Sequence, residues 1–172
     1  MNNTNNIPIE TERKFLIRIP SFADMESQAN FRIREITQTY LRSEGKKNIR
    51  VRLVVEDGKT TYIKTVKERI STLSCYEDES IISRVEYEEL LLTADKEKNS
   101  ICKTRYSFEY CDHILEIDIY DFWNDRATLE IELQDENEQF FIPTFIDVIK
   151  EISDDGRYKN TNLAKSVPFD EI

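Results

Sequence analysis

The chain has 172 residues and a formal net charge of −10, with 34 acidic against 24 basic side chains. That length suits one domain spanning residues 1–172, the acidity argues against nucleic-acid binding through a general basic field, and no run approaches the ~18 apolar residues of a membrane span. Cys75, Cys102 and Cys111, with no CxxC and no histidine at metal spacing, indicate neither a disulfide framework nor a zinc site, so a soluble cytoplasmic protein is expected.

Residues 1–7 are uncharged and lack an apolar core, so they read as a frayed end and not as a signal peptide. From Ile9 to Ile17 the pattern alternates with period two: Glu10, Glu12 and Lys14 share one face, and Ile9, Phe15 and Ile17 share the other with Thr11 and Arg13. A short helix is expected over Ser21 to Ala29 and a strand over Phe31 to Arg42. Between Asn48 and Val55, Arg50 and Arg52 oppose Val51, Leu53 and Val55. Asp57-Gly58 then supplies a tight turn, and Tyr62 to Lys67 returns as the second arm of a hairpin. Residues 68–83, with Cys75 and a Glu-Asp-Glu run, read as a solvated acidic loop, with a gate at an entrance as the alternative.

Arg84, Glu86 and Glu88 alternate with Val85 and Tyr87, and Lys103 and Arg105 with Thr104, Tyr106 and Phe108. Glu116, Asp118 and Tyr120 oppose Leu115, Ile117 and Ile119, and Glu130 and Glu132 oppose Leu129, Ile131 and Leu133. Further helical signal lies near Thr93 to Ser100, Asn137 to Phe141 and Asn160 to Lys165. The total is about eight strands and a few short helices, a β-rich α+β domain.

One such strand would simply turn its charges to water. The repetition of same-sign pairs argues otherwise, because like charges two apart repel on an ordinary surface. A closed antiparallel eight-stranded barrel resolves the pattern: charged faces point inward and neutralise each other, and short helices cover the apolar outside. Cationic pairs in that lumen suit phosphate oxygens, and carboxylate pairs suit Mg²⁺ or Mn²⁺. The lumen is thus expected to hold a metal-bound polyphosphate, a small-molecule partner. Hydrolysis there requires no nucleophilic side chain, which fits a chain with one histidine and three glycines. His113, beside Cys111 and Asp112 at an expected turn, has no triad partner and is read as structural.

Ile9-Glu10-Thr11-Glu12-Arg13-Lys14 resembles the ExExK signature of the CYTH superfamily, the triphosphate tunnel metalloenzymes. The likeness continues in order through Gln38-Thr39-Tyr40-Leu41, Arg50-Val51-Arg52, Thr65-Val66-Lys67, Arg84 to Glu88 (as RxEYE), Lys103-Thr104-Arg105-Tyr106, Glu116-Ile117-Asp118, Glu130-Ile131-Glu132 and Arg157-Tyr158-Lys159-Asn160. The resemblance implies metal ligands at Glu10, Glu12, Asp118, Glu130 and Glu132. It implies phosphate-binding cations at Lys14, Arg50, Arg52, Lys67, Lys103, Arg105 and Arg157; Lys64 competes with Lys67 but has the opposite parity. Tyr40 and Lys103 are the residues it implies in the chemistry, with a barrel-wall aromatic as the other reading of Tyr40. Arg84, Glu86, Glu88 and Glu116 are assigned supporting roles, and residues 157–164 resemble the piece that closes one mouth of the tunnel.

The same tunnel serves several reactions, so the resemblance leaves the substrate open. Hydrolysis of inorganic tripolyphosphate ranks first, since the combined motifs look most like the bacterial tripolyphosphatases. A class IV adenylyl cyclase, a thiamine or nucleoside triphosphatase, and a non-catalytic polyphosphate-binding module are the alternatives. No nucleic-acid or membrane partner is expected, and monomer and homodimer both stay open.

Overall fold

The computed structural model describes residues 9–43, 45 and 47–172, and the N-terminal segment read as frayed lies outside them. The strands are β1 (Ile9–Arg18), β2 (Ala29–Tyr40), β3 (Lys47–Glu56), β4 (Lys59–Arg69), β5 (Ser74–Ile82), β6 (Ile101–Tyr110), β7 (His113–Tyr120), β8 (Arg126–Leu133) and β9 (Val148–Glu151). The helices are α1 (Phe22–Glu26), α2 (Arg84–Leu91) and α3 (Asn160–Leu163). No helix among the described residues is long and apolar enough to cross a membrane.

Around the sheet the order is β5-β4-β3-β2-β6-β7-β8-β1, and β1 pairs back onto β5 through Ile9 with Tyr76, Glu10 with Cys75 and Thr11 with Ser74. This last antiparallel pairing closes an eight-stranded barrel, and β9 adds to the far half of β1. Two turns set hairpin register with left-handed residues. Asp57 and Gly58 have φ of 50° and 74° between β3 and β4, and Cys111 and Asp112 have φ of 48° and 64° between β6 and β7.

The period-two faces separate as expected. Outside, Phe15, Ile17, Phe108, Leu115, Ile117, Leu129 and Ile131 form a buried core under Met25 of α1 and Ile146, with Phe140 and Phe145 packed against it. Truncating a fully buried member such as Leu129 to Ala would cost about 2–5 kcal/mol in lost transfer energy and cavity. A second cluster, Leu16, Tyr40, Ile101, Tyr120, Trp123, Tyr158 and Leu163, plugs one end of the barrel. The segment expected to close a mouth therefore packs there, driven by burial of Tyr158 and Leu163.

One stretch of the expected pattern is reversed. Residues 84–88 are not a strand but the first turns of α2, outside the barrel. Ser83 caps the helix by accepting the Glu86 backbone N–H at 3.1 Å, and Arg84 Nε donates to Glu88 Oε1 at 2.7 Å one turn later. Tyr87, Leu90 and Leu91 recur at helical spacing and pack on Leu41, Val51 and Tyr62. Alternation at the charged positions alone concealed this stripe. Conversely, the expected loop over residues 68–83 is largely strand: β5 pairs in register with β4 from Tyr62 with Ile82 to Arg69 with Cys75.

Helices α1 and α3 lie where anticipated. Residues 93–100 form turns instead, tied to β2 through an isolated bridge of Leu41 with Ala94 and through Asp95 N–H donating to Tyr40 C=O at 2.9 Å. Residues 137–141 are likewise non-helical.

Candidate functional site

The barrel lumen has an acidic and a basic side. β1 contributes Glu10, Glu12 and Lys14, β7 Glu116 and Asp118, and β8 Glu130 and Glu132, while Arg50 and Arg52 come from β3, Lys67 from β4, and Lys103 and Arg105 from β6. Arg105 is the centre of the network. Its guanidinium donates to Asp118 and to Glu130, each at 2.7 Å, and also to Glu116. Lys103 donates to Asp118, and Lys14 pairs with Glu130 at 2.7 Å. Lys67 pairs with Glu10 and, at 2.5 Å, with Glu77.

These contacts sort the carboxylates by protonation. Burial alone would raise Glu130, but Lys14, Arg105 and Lys103 hold it well below the ordinary range. Asp118, fully buried, is likewise held down against its burial by Arg105 and Lys103. Glu12 is pushed up by burial and by the Glu130 charge, and Glu132 by burial and Glu116. Glu10 rises to about 8 through burial and its hydrogen bond with the Glu77 carboxyl, so the two share a proton at neutral pH. Lys103 falls to about 8 through burial and the Arg105 charge.

Among the five expected metal ligands, only Glu12 and Glu132 form no ion pair among the described residues, and they are direct cross-strand partners. Glu130 sits beside them, one register step along β8. The set fits a hard divalent cation: its donors are all carboxylate oxygens, and two of them are held up in pKa by burial and neighbouring negative charge, a cost that a bound cation relieves. Both oxygens of Asp118 are held by Lys103 and Arg105, as those of Glu130 are by Lys14 and Arg105, but Glu130 faces a cavity whereas Asp118 is fully buried and lines none.

A cavity of about 730 Å³ gathers Glu10, Glu12, Arg50, Arg52, Lys67, Arg105, Glu130 and Glu132. Buried inside the barrel, Arg50 Nε and Arg52 Nε have no hydrogen-bond partner among the described residues. A second cavity of about 550 Å³ lies between the plug and residues 69–75, lined by Lys14, Tyr40, Leu73, Ile152, Tyr158 and Lys159. Glu12, Lys67 and Asn160 line both, so the two adjoin at those side chains. Lys103 and Asp118 line neither, lying just beneath the wall.

Two expected placements are corrected. Arg84, Glu86 and Glu88 are on α2, exposed and away from the lumen. Arg157 lies at the surface, paired with Asp155 at 2.7 Å and Asp170 at 3.0 Å, because the turn that buries Tyr158 rotates its neighbour outward. Lys64 is paired in register with the outward-facing Val51, as its parity required.

Glu77 and Glu79 of β5 were missed. Glu77 meets Lys67 and, at 3.7 Å, Arg50, and Glu79 meets Arg52 and Thr65. Glu77 is held down to about 2, against its burial, by the hydrogen bond with Glu10 and the charges of Lys67 and Arg50. The signal was present: Cys75-Tyr76-Glu77-Asp78-Glu79 has the ExE spacing of RxEYE, with cysteine at the arginine position, directly after Thr65-Val66-Lys67. Arg34, which pairs with Glu116 at 3.7 Å from the lumen face of β2, was also missed.

A closed barrel with carboxylates and cations converging on one cavity suits the binding of a metal-bound polyanion. A CYTH domain model matches residues 8–166, and the chain belongs to the CYTH family. At the level of that family it is a metal-dependent triphosphatase. The structure is similar to that of the inorganic triphosphatase NE1496, with 27% identity and a TM-score of 0.58 over 92% of this chain and 96% of that one. The PH1819 protein of Pyrococcus horikoshii OT3 shares the fold, with 18% identity and a TM-score of 0.59 over 74% of this chain and 80% of that one. Among curated protein sequences, none matches this one.

Proposed function

We propose that the chain hydrolyses inorganic tripolyphosphate to pyrophosphate and phosphate with Mg²⁺ or Mn²⁺. The observation that carries this reading is the convergence of Arg50, Arg52, Lys67 and Arg105 with Glu12, Glu130 and Glu132 on one cavity, with two buried arginine N–H groups unpartnered. The similarity to NE1496, an inorganic triphosphatase, supports the choice of substrate.

In this reading Glu12, Glu130 and Glu132 hold the metal and Glu10 completes their shell. When bound, the ion neutralises phosphate oxygens and makes a water more acidic. The guanidinium forks of Arg50, Arg52 and Arg105 orient the phosphates, and Lys14 and Lys67 add point charges. Asp118 keeps Lys103 and Arg105 in place from below. Tyr40, on the wall of the second cavity, offers its hydroxyl to the reacting end of the chain of phosphates.

The second cavity gives a nucleoside or thiamine group a place beside the lumen, because Tyr40, Leu73, Ile152 and Tyr158 line it. The deciding assay therefore offers tripolyphosphate, ATP and thiamine triphosphate in parallel with Mg²⁺ or Mn²⁺, scored for phosphate, pyrophosphate and cyclic AMP. Phosphate and pyrophosphate from tripolyphosphate are expected. Cyclic AMP as the main product from ATP would overturn the reading.

A further inference from the structure

Gln38 is fully buried on the lumen face of β2, two residues before Tyr40, and its Nε2 donates to the Tyr40 hydroxyl at 2.8 Å. An amide N–H can only donate, so the hydroxyl accepts there and its own proton must go elsewhere. The cations Arg50, Lys14 and Lys67 act on that hydroxyl, and none of them can accept a hydrogen bond. The Tyr40 O–H thus has no acceptor among the described residues. The other end of the Gln38 amide, Oε1, also lacks a partner among them, and the register partner of Gln38 on β3 is Arg52.

The unsatisfied groups form a set: the Tyr40 O–H, Arg50 Nε–H and Arg52 Nε–H are donors, and Gln38 Oε1 is an acceptor. Leaving buried polar groups unpaired is costly, so the set is built for an occupant. Phosphate oxygens satisfy the donors, and a water or a P–O–H group satisfies the acceptor.

We infer that Gln38 is a positioning residue: by donating to Tyr40 it fixes the tyrosine as a hydrogen-bond donor aimed at the phosphate oxygens. This rests on the tripolyphosphatase reading. Had the amide been reversed, Tyr40 would spend its proton on Gln38 and offer the substrate only a lone pair.

The test is a double-mutant cycle measured with Mg²⁺ and tripolyphosphate. Gln38→Met keeps the length and volume of the side chain but removes the donor; Gln38→Glu presents only acceptors and would capture the Tyr40 proton. Each should lower kcat by roughly 10–100-fold with KM changed less than about 3-fold. In a Tyr40→Phe background neither should lower kcat further, since the residue through which Gln38 acts is gone. Thermal unfolding confirms that each variant is folded, and Gln38→Glu serves if Gln38→Met is not. Losses that multiply in the double variants, or that appear in KM alone, would overturn the role of Gln38 while leaving the hydrolase reading intact. A wild-type protein inert toward tripolyphosphate would overturn both.

Discussion

Glu12 of β1 and Glu132 of β8 stand directly opposite each other on the lumen wall, and neither has a cationic partner among the described residues. Like charges in that register repel, so the pair costs stability unless a cation lies between them. Replacing either with Gln is expected to raise the unfolding temperature of the metal-free protein and to weaken Mn²⁺ binding by about tenfold or more. Calorimetric titration and melts with and without metal check both signs. Unchanged metal affinity would remove these two residues from the ion's shell.

Asp118 has the opposite character. It is fully buried, and its two oxygens satisfy Lys103 and Arg105. Asp118→Asn leaves two buried cations short of a counter-charge, and a loss of about 3–5 kcal/mol is expected in chemical denaturation. The loss should persist without metal. A variant destabilised only in the presence of metal would identify Asp118 as a ligand instead.

Glu10 makes stability depend on pH. The folded protein keeps its proton up to about 8, whereas the unfolded chain releases it near 4.5. Between those values the folded state binds more protons, so this contribution is complete below 4.5 and declines as pH rises toward 8, by at most about 1.4 kcal/mol per unit. Glu10→Gln is expected to flatten the slope, though not to zero, since Glu12 and Glu132 are raised as well. Turnover should run the other way, increasing toward alkaline pH as the carboxylates become free to bind metal. Denaturation midpoints at pH 5, 7 and 9 for both proteins measure the difference; equal slopes would refute it.

The placement of β5 and α2 separates two sets of glutamates. Glu77→Gln and Glu79→Gln are expected to reduce turnover, because they alter the partners of Lys67, Arg50 and Arg52. Glu86→Gln and Glu88→Gln should leave it within about twofold, as surface substitutions distant from the site. Ser83→Ala should cost about 1 kcal/mol through the lost helix cap, with kcat unaffected. Steady-state rates for the four glutamate variants, compared side by side, decide whether the lumen strand is β5.

Much of the site could be read before folding was considered. The side chains of Glu10, Glu12, Lys14, Arg50, Arg52, Lys67, Lys103, Arg105, Glu130 and Glu132 all lie on the face that alternation assigned to them. The misreadings share a cause. Residues 84–88 satisfy a period of two at their charges, Tyr87, Leu90 and Leu91 follow a period of 3.6, and only the packing of Tyr87 and Leu90 against β3 and β4 selects the helix. Residues 74–82 carry little apolar signal because as a strand they spend their inward face on Glu77 and Glu79, so they look like a loop. Arg157 matched a motif, but burial of its neighbour Tyr158 determined its direction.

What the sequence by itself determined was therefore local: most of the strands, the face their charges occupy and the sign they carry, all consequences of the twofold repeat of an extended backbone. Tertiary structure alone decided that β5 closes the ring against β1, that Asp118 serves cations while Glu12 and Glu132 stay free, and that Gln38 and Tyr40, neighbours on one strand face, are buried. These depend on pairings across tens of residues and on which polar atoms lose access to water, properties that no single segment possesses.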